Sequence, residues 1–344
     1  MLRKKTEELF VEIKEYSILA AKALSYGSET VLMSAVECPA GDFASIKKFL
    51  HDFFGNGKGK YVKAYCNVNP ISRFIRKTTL DSAMKTKDPT FINEILREDF
   101  NIDKERFEVK ILNGVTGSEL NPENNRSRDI VFCGALKEEL EKCQDALLQL
   151  GIYPERMELG GMAMLGGFMA DTTEIEVPTI ILEMNGDNSQ VFILYQKRFD
   201  LVRTIPYGVD DIIPLIQKEL TLSDEASARK LLFSNTFDFT EKGPVLLDEL
   251  FKELQALVDY YEVQTGQSVK GLFLGSLPGN LDWISRSLSQ SIGLDQLKIS
   301  YPRWLESRNI AIDQNVNVSS LDNRWFSLFS LINYDNILEE EGEE

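Results

Sequence analysis

One order of predicted strands and helices occurs twice along the chain, and this repetition limits the folds that the chain can adopt. Alternating apolar and polar residues predict three strands at 9–14, 17–24 and 29–36, then a helix at 43–54 and a strand at 61–68. The second occurrence comprises strands at 178–184, 189–195 and 201–205, helices at 209–219, 224–232 and 245–264, and a strand at 269–274. Two such repeats predict an α/β protein with two similar lobes.

The segment between the repeats predicts a small inserted module over 70–148. Its predicted elements are strands at 71–75, 107–112 and 129–133 and helices at 88–96 and 137–150. A hinge-like linker is expected at 171–174, and a last helix is predicted at 324–334. Five of the last six residues are Glu, which indicates an acidic, solvated tail at 339–344.

Charge and composition exclude several classes of function. The chain has 344 residues, with 38 basic against 54 acidic side chains, so nucleic-acid binding and tight attachment to anionic lipid are disfavoured. His51 is the only histidine, which excludes two-imidazole zinc sites. The four cysteines form no Cys-x-x-Cys pair. No apolar run is long enough to span a bilayer and the start carries no apolar signal core, so we expect a cytoplasmic protein without direct membrane insertion.

Several segments resemble those of a known family. The segment 11–23, which begins VEIK, is similar to the first phosphate strand of actin-like ATPases, and 180–194, which begins IILEMN, is similar to the second. The segment GLFLGSLPGN at 271–280 resembles their adenosine turn. LGIYPERME at 150–158 and RTIPYG at 203–208 are similar to the PilM family, the FtsA-related cytoplasmic proteins of type IV pilus machines. The resemblance implies an actin-like ATPase fold over about 8–335.

The phosphate-binding residues depart from the family pattern. The strands of the family end in Asp-x-Gly, whereas the first of these sites has Glu12 and Lys14 and the second has Glu183 and Asn185. Asp organises Mg²⁺ or its water, and Gly lets the backbone approach a phosphate. A β-carbon at Lys14 could crowd a phosphate, although its ammonium could partly substitute for Mg²⁺.

The helix and turn that complete the nucleotide site differ as well. The family signature Glu-Ala-Glu-x-x-Lys is EASARK at 225–230, which keeps Lys230 but replaces the second Glu by Ser. The Gly-Gly-Gly turn is GSLPG, with Gly275, Ser276 and Gly279 in the positions that would face a nucleotide. We therefore expect no required cofactor and no ATP hydrolysis. Weak binding of ATP with Mg²⁺ stays open, as does the alternative of an actin-like nucleotide-binding ATPase.

The resemblance also implies partners. PilM proteins bind the N-terminal cytoplasmic segment of the bitopic membrane protein PilN, together with other platform proteins or the assembly motor. Applied to this chain, it implies a scaffold at the inner membrane, held there through a protein partner. The related type II secretion system is the alternative setting.

The expected peptide groove lies between subdomains 1A and 1C. Asn67 and Asn69 could hold the peptide backbone, and Arg73, Phe74 and Arg76 would offer an apolar surface with two guanidinium groups. The implied subdomains are 1A at 1–69 and 149–172, 1C at 70–148, 2A at 173–212 and 268–338, and 2B at 213–267.

Overall fold

The computed structural model describes residues 6–26, 29–39, 43–55, 60–115, 117–170, 175–196, 198–234 and 236–332. Its strands are β1 (Thr6–Ile13), β2 (Ser17–Tyr26), β3 (Glu29–Pro39), β4 (Val62–Val68), β5 (Phe74–Thr79), β6 (Phe107–Asn113), β7 (Asp129–Leu136), β8 (Ile152–Leu159), β9 (Thr179–Met184), β10 (Ser189–Tyr195), β11 (Arg198–Ile205), β12 (Gly271–Gly275), β13 (Asp295–Gln296) and β14 (Ile310–Ile312). Its α-helices are α1 (Phe43–Phe54), α2 (Pro89–Glu94), α3 (Lys137–Gln149), α4 (Gly160–Ala170), α5 (Val209–Glu219), α6 (Glu225–Leu232), α7 (Gly243–Leu246), α8 (Asp248–Thr265), α9 (Asp282–Ile292), α10 (Tyr301–Ser307) and α11 (Phe326–Ser330).

Two of the three sheets share one strand order. The six-stranded sheet runs β14-β3-β2-β1-β4-β8, and the five-stranded sheet runs β11-β10-β9-β12-β13. In each, three antiparallel strands come first in the chain, and the next strand then joins in parallel, β4 beside β1 and β12 beside β9. Parallel neighbours need a crossover connection, and the intervening helices supply it. The predicted repeat of three strands, helix and strand is confirmed.

The described residues fall into two compact units. The first holds those within 1–171, 302–318 and 327–344, and the second those within 172–301 and 319–326. The first unit also contains the three-stranded antiparallel sheet β5-β7-β6. The division corrects the predicted segment 268–338, because β14 pairs in parallel with β3 and so extends the edge of the first unit's sheet. The other subdomain boundaries stay predictions.

Each sheet is covered by apolar side chains. In the first unit, alternate residues of β1 and β2 pack with Leu50 of α1 and with the end of α3. A separate core lies on the three-stranded sheet, around Phe74 and Phe132. In the second unit every residue of β9 is buried, as expected for a strand with elements on both faces. None of the helices in the described ranges is long and apolar enough to cross a membrane.

Three predicted elements differ from the structure. The strand predicted at 71–75 begins only at Phe74, because the Arg73 N–H donates to the Pro70 carbonyl and closes a turn there. The helix predicted at 245–264 is divided into α7 and α8 at Leu247. The last helix is the five-residue α11, since the N–H groups of residues 331 and 332 bond three residues back and end the α-helical pattern. The predicted linker at 171–174 and the acidic tail at 339–344 lie outside the described residues.

Candidate functional site

The end of β1 carries a buried ion pair. Glu12 is fully buried, Lys14 is nearly so, and the Lys14 Nζ lies 3.3 Å from the Glu12 Oε2. The Lys14 N–H donates to the Ser17 carbonyl at 3.0 Å, which closes the turn into β2. A buried carboxylate needs a cation or hydrogen-bond donors to offset its lost hydration. The chain's own lysine supplies that positive charge.

Asn67 belongs to the same buried cluster. Its Nδ2 donates to the Glu12 Oε1 at 3.0 Å and to the Ser327 Oγ at 2.5 Å. Its Oδ1 accepts no hydrogen bond from the described residues. The sequence prediction placed Asn67 in a peptide groove, and the structure corrects this. Asn67 stands opposite Glu12 in the β1–β4 register and points into the core with it.

The second predicted phosphate strand ends differently. Glu183 is buried at the end of β9, opposite Gly275 of β12, so the structure brings these two predicted site residues together. Asn185 follows in the turn to β10. Its N–H donates to the Asn188 carbonyl at 2.8 Å, and its Nδ2 lies 3.2 Å from the Asn188 Oδ1. Asn185 therefore holds its own turn together.

The same turn contacts the N-terminus of α5. The Val209 N–H donates to the Asn185 carbonyl at 2.9 Å, and the Asp210 N–H donates to the Gly186 carbonyl at 2.8 Å. The free N–H groups of a helix N-terminus are what attracts a phosphate. Here carbonyl oxygens of the chain take two of them, which disfavours anion binding at this helix end.

The turn after β12 is strained. Ser276 has a φ of 74°, and the Leu277 N–H donates to the Gly275 carbonyl across it at 3.0 Å. A non-glycine residue in this region costs about 1–3 kcal/mol, so it persists only where the surroundings hold it. Gly279 opens a 3₁₀ turn three residues later. Lys230, the remaining predicted residue, is exposed on α6.

The predicted peptide-binding residues lie where β4 leaves the six-stranded sheet and β5 begins. The Asn69 Oδ1 accepts from the Arg73 Nη1 at 2.8 Å, so these two side chains are joined. Arg73 and Phe74 are both buried, and Phe74 packs in the core of the three-stranded sheet. Arg76 is half-buried, and burial lowers the pKa of its guanidinium. Of the five predicted residues, only Asn69 and Arg76 keep partly exposed side chains.

Sequence reasoning missed two residues at this junction. Ile71 is 78 % exposed, so its apolar side chain is accessible just before β5 begins. Ser72 donates from its N–H and from its Oγ to the Glu139 Oε2, both at 2.8 Å, and thereby ties the turn to α3. The Ile-Ser pair after Pro70 could have indicated an exposed turn, but the strand predicted at 71–75 concealed this possibility. We call Asn69, Ile71, Ser72 and Arg76 the junction surface.

Comparisons with known proteins identify the fold. No protein-family model and no curated protein matches the sequence. Among solved structures, the chain is similar to one described as the PilM-PilN type IV pilus biogenesis complex, with a TM-score of 0.71, 14% identity, and coverage of 97% of this chain and 99% of that chain. It also matches ethanolamine utilization protein EutJ from Carboxydothermus hydrogenoformans, with a TM-score of 0.46, 8% identity and coverage of 88% of each chain. A third match is the cytoplasmic domain of EpsL from the type II secretion system of Vibrio cholerae, with a TM-score of 0.38, 13% identity, and coverage of 83% of this chain and 94% of that chain. The chain has the actin-like ATPase fold expected from its sequence.

Proposed function

We propose that this chain is a cytoplasmic scaffold of a type IV pilus assembly platform, which binds the N-terminal cytoplasmic segment of a PilN-like membrane protein and does not hydrolyse ATP. The observation that carries the proposal is the full-length match, over 97% of this chain, to a structure described as a PilM-PilN complex. Similarity of fold does not itself fix function. The proposal therefore also depends on the chemistry of the described residues.

The argument against hydrolysis comes from both predicted phosphate strands. Phosphoryl transfer needs Mg²⁺ and donors arranged in advance around the phosphates. The carboxylate of Glu12 is already paired with Lys14, which leaves less negative charge for a metal ion. The N-terminal amides of α5 already donate to carbonyls of the chain. Both arrangements support a protein whose function is binding.

The junction surface is where we place the partner segment. β5 is an edge strand of its sheet, and an extended peptide can pair with an exposed strand edge through main-chain hydrogen bonds. Ile71 would supply an apolar contact beside that edge, and the half-buried Arg76 would supply positive charge. A carboxylate on the peptide could accept hydrogen bonds from such a guanidinium.

Titration of a labelled peptide tests the proposal. The probe is a fluorescein-labelled peptide with the N-terminal cytoplasmic sequence of the PilN-like protein from the same genome, followed by fluorescence anisotropy. Ile71→Asp should weaken binding at least tenfold, about 1.4 kcal/mol, with little change in melting temperature because the side chain is exposed. Arg73→Glu is not a suitable variant, since it would bury a carboxylate in place of a bonded guanidinium.

Val263→Asp provides the matched control, because Val263 is 81 % exposed and lies on α8 of the second unit. It should bind the peptide like the wild type. Absence of binding by the wild type would overturn the scaffold proposal. Equal affinities for wild type and Ile71→Asp would instead retain the partner but exclude the junction surface.

A further inference from the structure

A second surface of the first unit has the features of a docking site. A concave region of about 540 Å³ lies between α1 and the beginnings of β4 and β8. Leu50, Val62 and Ile152 contribute its apolar lining. β4 starts at this region and ends at the junction surface, so the two surfaces are at opposite ends of one strand. We call this region the basic groove.

The charge of the basic groove is opposite to that of the protein. Lys47, Lys48 and Lys60 line it, and no Asp or Glu is among the described residues that line it. All three lysines are exposed, whereas the chain as a whole carries a formal charge of −16. The helical spacing of α1 places Ala44, Lys47 and His51 along the same side of the groove. The positive side chains therefore surround an apolar depression.

We propose that the basic groove binds an acidic segment of a partner protein, with an apolar side chain of that segment inserted between α1 and the start of β4. Carboxylates on such a segment complement the three lysines, and complementary charge raises both association rate and specificity. The apolar lining provides the buried contact that ordinarily contributes most of the affinity in an interface of this kind. This surface is additional to the junction surface and does not depend on it.

The shape of the groove favours a peptide over a membrane. An anionic bilayer is bound by basic residues around apolar side chains that protrude and enter the lipid. In the basic groove the apolar residues are recessed, Leu50 being buried below the lysines, so a protruding side chain must come from the ligand. Nucleic acid is disfavoured because the acidic remainder of the protein would repel its phosphates.

The experiment uses the full chain and one defined probe. The probe is a fluorescein-labelled twelve-residue peptide made of four Glu-Glu-Leu repeats, titrated by fluorescence anisotropy at low salt. Lys47→Glu, Lys48→Glu and Lys60→Glu combined should weaken binding at least tenfold. Ala44→Trp should have a similar effect by filling the groove, because Ala44 is exposed and its replacement leaves the core intact.

Matched controls separate the groove from the general surface. Lys104→Glu with Lys270→Glu alters exposed lysines elsewhere, and Ala226→Trp adds the same bulk on α6; all of these should bind the probe like the wild type. A probe in which Gln replaces every Glu should bind at least tenfold more weakly, because it carries no negative charge for the three lysines. Vesicles of phosphatidylglycerol should not compete with the probe. Equal binding by the groove variants and the wild type, no binding by the wild type, or displacement by the vesicles would each overturn the proposal.

Discussion

Two turns occupy the same place in two sheets of the same strand order, the turn from β1 to β2 and the turn from β9 to β10. The buried polar groups at these turns are nevertheless paired in opposite ways. In the first, a buried carboxylate on Glu12 is matched by the ammonium of Lys14. In the second, the positive end of a helix is matched by the carbonyl oxygens of Asn185 and Gly186. One turn supplies its own cation and the other supplies its own acceptors.

The comparison shows that one repeated topology can carry two different arrangements of polar groups at corresponding turns. Paired strands fix the positions of both turns, whatever the side chains at their ends. The residues at those ends then decide whether polar groups stay available to a ligand or are satisfied internally. In this chain the polar groups at both turns bond to other groups of the protein, so both turns contribute to its stability. Two substitutions and one ligand test this conclusion, in decreasing order of the expected change in stability.

Lys14→Met should destabilise the first turn. Removal of the ammonium takes away the ion-pair partner of a fully buried carboxylate, and we expect a loss of about 3 kcal/mol in the free energy of unfolding. Urea denaturation followed by circular dichroism measures it. Lys14→Met combined with Glu12→Gln should recover most of the loss, because no charge is then buried alone. A single variant as stable as the wild type would show that the pair is not structural.

Gly208→Ala should destabilise the second turn where that turn contacts the start of α5. A β-carbon at Gly208 would lie 2.1 Å from the Gly186 carbonyl oxygen, so the turn and the start of α5 must separate. The expected cost is about 2 kcal/mol, by the same denaturation experiment. Gly279→Ala is the control, since its nearest contact is an ordinary 3.5 Å and the change should stay within about 0.5 kcal/mol. An equal effect of both substitutions would contradict the close-contact explanation.

ATP with Mg²⁺ should have the smallest effect. If both turns are satisfied internally, ~1 mM nucleotide should raise the melting temperature by less than about 1 °C, since stabilisation grows as RT ln(1 + [L]/Kd). A thermal-shift assay gives the value. Lys14→Gly with Asn185→Gly should respond more than the wild type, each compared with its own baseline without nucleotide. A rise of several degrees in the wild type would show a working nucleotide site and favour the ATPase alternative.

Local patterns in the sequence were sufficient for much of the fold. The bounds of α1, α5 and β10 agree with those predicted, because apolar spacing is a property of neighbouring residues. The two repeats followed from the same spacing, whereas the two predicted phosphate strands were placed by the resemblance to actin-like ATPases. The departure from the Asp-x-Gly pattern at Lys14 and Asn185 was also visible in the sequence, and both residues lie at the turns compared above.

Pairings between distant residues could be decided only by the tertiary structure. Asn67 bonds to Ser327, 260 positions away, and β14 returns to the edge of a sheet that begins near the start of the chain. Asn67 lies on β4, and Phe74 and Arg76 lie on β5. The residues next to them in the sequence do not indicate which face of either strand is covered by the rest of the protein. Burial depends on elements contributed by remote segments, and local periodicity contains no information about them. For this reason the sequence could locate the junction, but only the fold could distinguish its exposed Ile71 from its buried Phe74.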